Sequence, residues 1–287
     1  MNTKNVVTRE VLECLARFGY VSVEEIAYGC RITRASAQRQ LKHLEKAELI
    51  HSFPSQTVPA QFQCLTAQGR QKVVELGLSD ELSPFMPSRY QWVEQHHHRT
   101  ISKVYFGLRH LLGPNFLGWV SERILKGEAE SIGKSQVWEK RVLDGELYFT
   151  VNLDEVEKDN DGTLKPTGQV FREPWRCGIE VELSIKSTER YRRQFMALAD
   201  VVQGEKSPLP MIVFFYATPG IRERLFRQIT QVTRADFGAC VFCLAPVEEF
   251  LNGPGTCRLE RTFNDQHSIR EGSHLNRFQC VRGFRHV

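Results

Sequence analysis

Chemistry in this chain concentrates around one short stretch, Cys177 to Lys186, in which apolar and polar residues alternate strictly. That alternation predicts a strand with Ile179, Val181, Leu183 and Ile185 on one face and Glu180, Glu182 and Ser184 on the other. Two carboxylates side by side on one face repel, and a cation between them relieves that repulsion. Two further acids stand upstream: Asp144, early in a predicted strand over Arg141 to Phe149, and Glu122, at the end of the apolar run Phe116 to Val120. Lys186 closes the stretch. The competing reading of Glu180 and Glu182 is a pair that faces solvent or bridges to Arg190 and Arg193. For Lys186 it is a surface lysine at a helix entry.

These residues need a scaffold, and the surrounding pattern predicts one. Ser187 can cap a helix from Thr188 to Val202. Pro210 to Tyr216 is a continuous apolar run, as buried parallel strands are. Thr218 and Pro219 open another helix through Arg227, and Ala239 to Leu244 is a further buried strand. Strand, helix, strand, helix, strand implies an α/β layer. Asp154 to Gly162 is acidic and irregular and predicts a solvated loop. A helix with Trp92, Ile101, Val104, Tyr105, Leu108 and Leu112 as its apolar positions precedes the acids and stops at Gly113-Pro114.

The first part of the chain follows another plan. Val7, Val11, Leu15 and Phe18 recur at helical spacing up to Gly19. Ser22 can cap a short second helix and Thr33 a third. On the third helix Ala37, Leu41, Leu44 and Glu48 share one face. Arg34, Ser36, Arg39, Gln40 and His43 occupy its start and opposite face, the donor types that reach phosphates and base edges of double-stranded DNA. A hairpin with a polar tip around Pro54 to Thr57 follows, and Thr66 to Arg70 begins another helix. The prolines between Ser79 and Pro87 mark a boundary. Expected domains are therefore residues 1–80, a linker 81–90, and 91–287 with a basic C-terminal tail.

Two resemblances follow from these residues. The run ASAQRQLKHLEKAELI, the hairpin and CLTAQGRQKV resemble the MarR/PadR-type winged helix-turn-helix. That resemblance implies a homodimer, although the long dimerisation helices of MarR-like proteins are not evident. An Asp opening one strand and alternating acids on its neighbour resemble the PD-(D/E)xK nucleases, whose restriction-endonuclease-like α/β domain is the fold expected for the second part. There Asp144, Glu180 and Glu182 would hold Mg²⁺ or Mn²⁺, Lys186 would reach the scissile phosphate, and Glu122 would complete the metal shell. Leu143 and Glu182 depart from that motif, which has Pro and usually Lys. The order winged helix, HHHRT, WVSE, VLDGELYF, GIEVELSIKSTERY, MIVFFYAT resembles the plasmid replication-relaxation family, with its MobC-type mobilisation relaxases. It implies a metal-dependent DNA endonuclease that nicks one strand in plasmid mobilisation or conjugation. The rival reading is a non-catalytic regulator of transcription or replication. A third is an accessory factor bound to a transfer-complex protein.

Composition sets outer limits. The chain has 287 residues, 41% hydrophobic and 25% charged, with a net charge of +4. That is ample for a core, and the charge is too mild to name a partner by itself. No apolar run approaches the ~20 residues of a membrane span, and the first residues lack a signal-peptide core, so no membrane insertion and a cytoplasmic location are expected. The eight cysteines read as reduced, buried small hydrophobes. Cys240 and Cys243 lie within an apolar strand, which disfavours zinc. His96-His97-His98 falls in a helical pattern, where it suits an ordering role better than metal binding.

Overall fold

The computed structural model describes residues 3–54, 61–78, 95–122, 125, 143–158, 164–202, 210–231 and 240–262. The chain divides into two compact units, Met1–Phe106 and Gly107–Val287. The expected linker, residues 81–90, lies outside the described residues, as do Trp92, the hairpin tip at 55–60 and the basic tail beyond 262.

In the first unit α1 (Thr3–Phe18) leads into β1 (Tyr20–Ser22), α2 (Val23–Gly29), α3 (Arg34–Lys46), β2 (Ile50–Pro54), β3 (Gln61–Leu65) and α4 (Ala67–Glu75). The three strands form an antiparallel sheet in the order β1-β3-β2. Gly19 ends α1 at φ 80°, a conformation that glycine reaches without a Cβ penalty. The starts of α2, α3 and α4 are satisfied locally. Ser22 N donates to Glu25 Oε2 at 2.7 Å, Ser36 N to Thr33 Oγ1 at 3.2 Å and Gly69 N to Thr66 Oγ1 at 3.0 Å. Ala37, Leu41 and Leu44 are buried as expected, but α3 ends at Lys46 and Glu48 is exposed at φ 57°. Glu48 therefore leaves the face it shares with them in an ideal helix.

α5 (Gln95–Leu112) ends in a 3₁₀ turn, Gly113–Asn115, at the predicted Gly-Pro stop. Its His98 ring stacks on Tyr20 with centroids 4.1 Å apart and meets Phe18 edge-on at 6.0 Å. Arg99 reaches the buried Glu25 at 2.7 Å.

The second unit is built on β4 (Phe116–Ser121), β5 (Gly145–Lys158), β6 (Leu164–Glu182), β7 (Met211–Tyr216), β8 (Val241–Pro246) and β9 (Glu260–Thr262), hydrogen-bonded in that order. β4, β5 and β6 run antiparallel, β6, β7 and β8 parallel, and β9 antiparallel again. The parallel strands are joined by α6 (Thr188–Val202) and α7 (Pro219–Gln231). Tyr191, Phe195, Leu198, Ile221 and Leu225 of these helices share a core with Ile212, Phe214, Phe242 and Leu244 of the sheet. On the other face Phe215 meets Phe250 of α8 (Val247–Asn252), ring centroids 4.7 Å apart. A Cβ on Gly107 would lie 2.6 Å from the Phe250 ring, so only glycine allows that approach. The result is a mixed α/β unit with helices on both faces of its sheet.

Two local expectations are corrected. The acidic stretch from Asp154 is not loop as far as Lys158: it belongs to β5, which pairs with β6 back to Leu164. Backbone pairing across a long hairpin overrides the polar composition there. At the other end β6 stops at Glu182, so Leu183 to Lys186 leave the strand and Ile185 is 54% exposed. The sheet hydrogen bonds end there because β7 turns away after Tyr216, leaving Glu182 O to accept from Ala217 N at 3.0 Å.

Candidate functional site: an exposed helix face and a buried carboxylate cluster

On α3 the apolar residues face inward, and the polar set divides. Arg34, Arg39, Lys42, His43 and Lys46 are exposed. Arg34 meets Glu24 at 3.2 Å, a surface contact of little energetic weight. Arg39 Nη2 donates to Ser36 Oγ at 3.3 Å, and Thr33 Oγ1 donates to the same oxygen at 2.9 Å. Ser36 is thus half-buried in a small network at the helix start. Gln40 turns away: its amide donates to Thr8 Oγ1 of α1, so it ties helices together. The one acid of α3's outer surface, Glu45, accepts from Ser52 N of β2 at 3.2 Å. Gln38 aside, the other exposed polar side chains of α3 are basic.

In the second unit the acids are gathered at the end of the sheet where β6, β7 and β8 reach their carboxyl ends. Asp144, Glu180 and Glu182 are 5%, 0% and 1% exposed. Parallel register sets Glu180 beside Phe214 and Glu182 beside Tyr216, which turns both carboxylates toward α6. Burial of the face that carries them comes from that helix. A sequence reading of alternation separates faces but cannot say that a helix covers the polar one.

The cluster is held by Lys186 and by a side chain that no motif indicated. Gln194 of α6, 2% exposed, donates its amide to Glu180 Oε2 at 3.3 Å and to Glu182 Oε1 at 3.0 Å. Its carbonyl accepts from Lys186 Nζ at 3.3 Å, and Lys186 also pairs with Glu182. One side-chain amide therefore joins two carboxylates and an ammonium. Neither Arg190 nor Arg193 takes part. Arg193 pairs with Glu189 at 3.1 Å, as does Arg192 at 2.9 Å. Two paired arginines hold the Glu189 carboxyl down at about 2. Gln194 was legible only as a polar position one turn along from Arg190, on a helix face otherwise apolar.

Asp144 has a different task. β5 begins at Gly145, opposite Ile179, so β5 supplies no further ladder partner to Val181. Asp144 Oδ2 accepts from Val181 N at 2.7 Å and replaces it. Glu122 N donates to Asp144 O at 3.3 Å, so the structure brings Glu122 and Asp144 together through the backbone. Gly145 lies under Trp119, where a Cβ would fall 2.0 Å from the indole. On the same face as Glu180, Glu146 is 7% exposed, accepts from Tyr148 Oη at 2.9 Å and lies 3.6 Å from Arg176. Burial, and then that hydrogen bond, push the Tyr148 phenol up.

Asp, Glu and their oxygens are the donors that Mg²⁺ and Mn²⁺ take. As arranged they do not form such a shell. Asp144 is bound to Val181 N and Lys186 lies on Glu182. Among the described residues no group of three or more His, Cys, Asp or Glu is placed to hold a metal ion. Burial pushes the Cys64 and Cys240 thiols up to about 12 and Cys177 well above its ordinary value, which keeps them protonated.

Fold and site together define a mixed α/β protein, with one unit of helices around a three-stranded antiparallel sheet and a second, six-stranded unit that buries charge at one end. No protein-family model matches the sequence, and no curated protein matches it. Among solved structures the chain is similar to Lactococcus lactis ZitR, determined as a double mutant in apo form. The identity is 20%, over 47% of this chain and 82% of that one, with a TM-score of 0.24. No helix among the described residues is long and apolar enough to cross a membrane.

Proposed function

We propose that this protein binds double-stranded DNA through α3 and acts as a DNA-binding regulator. The observation that carries this is the outward face of α3. Arg34, Arg39, Lys42 and His43 are exposed on the second helix of a helix-turn-helix, while Ala37, Leu41 and Leu44 fix the helix from behind. In winged-helix proteins such a helix enters the major groove with its first residues against the bases. Gln40 is set aside from the contacting group because it is engaged with Thr8. The test is selection of a preferred duplex from a random pool, followed by its affinity for Arg39→Ala across a salt series. Loss of sequence preference in the variant supports the reading. A wild type whose affinity ignores salt overturns it.

A second reading is favoured by the register of the sheet unit. Asp144 stands one residue before β5, whose first residue Gly145 pairs with Ile179, so it comes next to Glu180, with Glu182 and Lys186 beyond. This is the arrangement implied by the resemblance to PD-(D/E)xK nucleases and to the plasmid replication-relaxation family. The protein would then be a nickase of plasmid mobilisation that requires Mg²⁺ or Mn²⁺. Metal binding would require Asp144 to leave Val181 and Lys186 to leave Glu182. Asp144→Asn separates structure from chemistry, since Asn keeps an acceptor for Val181 N and removes the charge. Supercoiled plasmid nicked by the wild type and left intact by Asp144→Asn supports this reading. No nicking by the wild type with either metal returns the sheet unit to the regulator.

A further inference from the structure

A third concentration of charge lies outside both α3 and the buried cluster. The first two turns of α6 carry Arg190, Arg192 and Arg193, and α7 carries Arg222, Arg224 and Arg227. All but Arg222 are exposed. Carboxylates to balance them are few. Glu189 serves both Arg192 and Arg193, Glu260 takes Arg222, and Glu223 is the one acid that α7 itself carries among its three arginines. Among the described residues no ion pair involves Arg190, Arg224 or Arg227.

The two helices present these groups as one surface. Arg224 Nη1 donates to Lys186 O at 3.0 Å, which ties α7 to the loop that enters α6. A Cβ on Gly220 at the start of α7 would touch Ile185 of that loop at 3.4 Å. Both helices begin just beyond the carboxyl ends of β6 and β7, the edge where open α/β sheets take ligands. Guanidinium groups crowded with too few acids repel one another, and a polyanion removes that repulsion. Their planar forks also match phosphate oxygens. An acidic protein surface could offer the charge, but regularly spaced phosphates match a row of arginines on adjoining helices better.

We propose that the arginines of the first two turns of α6 and those along α7 form a second, sequence-independent binding surface for the phosphate backbone of duplex DNA. It is separate from α3 and does not depend on the α3 reading. Phosphates held there lie beside the loop of Lys186, so the surface also sets which part of a bound duplex meets the buried cluster.

The test uses the full chain with EDTA, a fluorescent duplex and a salt series. Arg190→Ala/Arg193→Ala/Arg227→Ala removes three exposed cations, and the slope of log K against log salt is expected to fall by about 2.7, at ~0.9 per phosphate contact. The loss is equal for preferred and random duplexes. Glu189→Gln acts in the opposite direction: it releases Arg192 and Arg193, so binding tightens several-fold and the slope steepens. Cooperative thermal unfolding of both variants, with no more than a slight shift for Glu189→Gln, keeps the comparison clean. Wild-type slope and affinity in both variants overturn the proposal. Arg39→Ala in the same assay separates the two surfaces. Loss there alone retains α3 and removes this surface, and loss in the triple variant alone does the reverse. A wild type that binds no DNA overturns both.

Discussion

α3 and the end of β6 both carry charge, but under opposite conditions. On α3 the cations are in water and touch little, so each can be removed without disturbing the fold. At Glu180, Glu182, Gln194 and Lys186 the charges are out of water, and each group is the condition for its neighbour's burial. Isolated buried charge is expensive, and paired buried charge fails badly when one partner is removed. Exposed charge on a rigid element is therefore available for a ligand. Buried charge first has to hold the structure, and any chemistry it performs must begin by loosening that hold.

The strongest way to break this contrast is Lys186→Ala. It takes the ammonium away from the buried Glu182 carboxylate, and a loss of about 3–5 kcal/mol is expected in urea denaturation. The same measurement on Arg39→Ala should move by no more than about 0.5 kcal/mol. Similar values for the two would end the distinction. Adding Glu182→Gln to Lys186→Ala should recover much of the loss, and a double-mutant cycle reads the coupling.

Next in size is Gln194→Leu, which keeps the volume of the side chain and removes its three hydrogen bonds. A cost of about 1–3 kcal/mol is expected, since buried acceptors lose their donor. Asp144→Ala falls in the same range through Val181 N, and Asp144→Asn should restore most of it. If Asn were as damaging as Ala, the Asp144 charge and not its acceptor would be what the fold uses.

The smallest effect sharpens the surface side of the comparison. Glu189 has its carboxyl held at about 2 by Arg192 and Arg193. Because the folded value lies below the ordinary 4.5 of the unfolded chain, the pairing adds stability above that value. This stability is lost as pH falls from there toward 2. The melting temperatures of wild type and Glu189→Gln should differ slightly at pH 6 and converge by pH 2. A difference that persists at pH 2 would remove the ion pairs as its cause.

Sequence pattern carried the element order far and the contacts less far. Gly19, Ser22, Thr33, Thr66 and Gly113 mark helix ends in the structure as they do in the sequence, because caps and stops are local chemistry. The parallel strands β7 and β8 were legible as continuous apolar runs. The length of β5 was hidden, since Asp154 to Lys158 pair through their backbone whatever their side chains. Glu180 was legible as an acid on a strand, and Asp144 as an acid beside the neighbouring one, although the expected strand from Arg141 places it inside and β5 begins only at Gly145. Gln194 and Glu146 were not, because their role depends on which helix lies over which face. Gln40 was placed with the outward residues of α3 by spacing alone, and a hydroxyl on α1, 32 positions earlier in the chain, claimed it.

The pairing of β5 with β6 has one more consequence. β4 reaches β5 only from Gly145 to Phe149, and β7 reaches β6 only from Cys177 to Glu182. Beyond those points the two strands run on as a ribbon as far as Lys158 and Leu164, with each other as their only described partners. A lone two-stranded ribbon is marginal in water. A single strand, β6, is therefore expected to span the whole range of amide exchange, slow at Val181 and fast toward Leu164. Its root would open only when the entire unit melts, while its far end breathes without the rest taking notice.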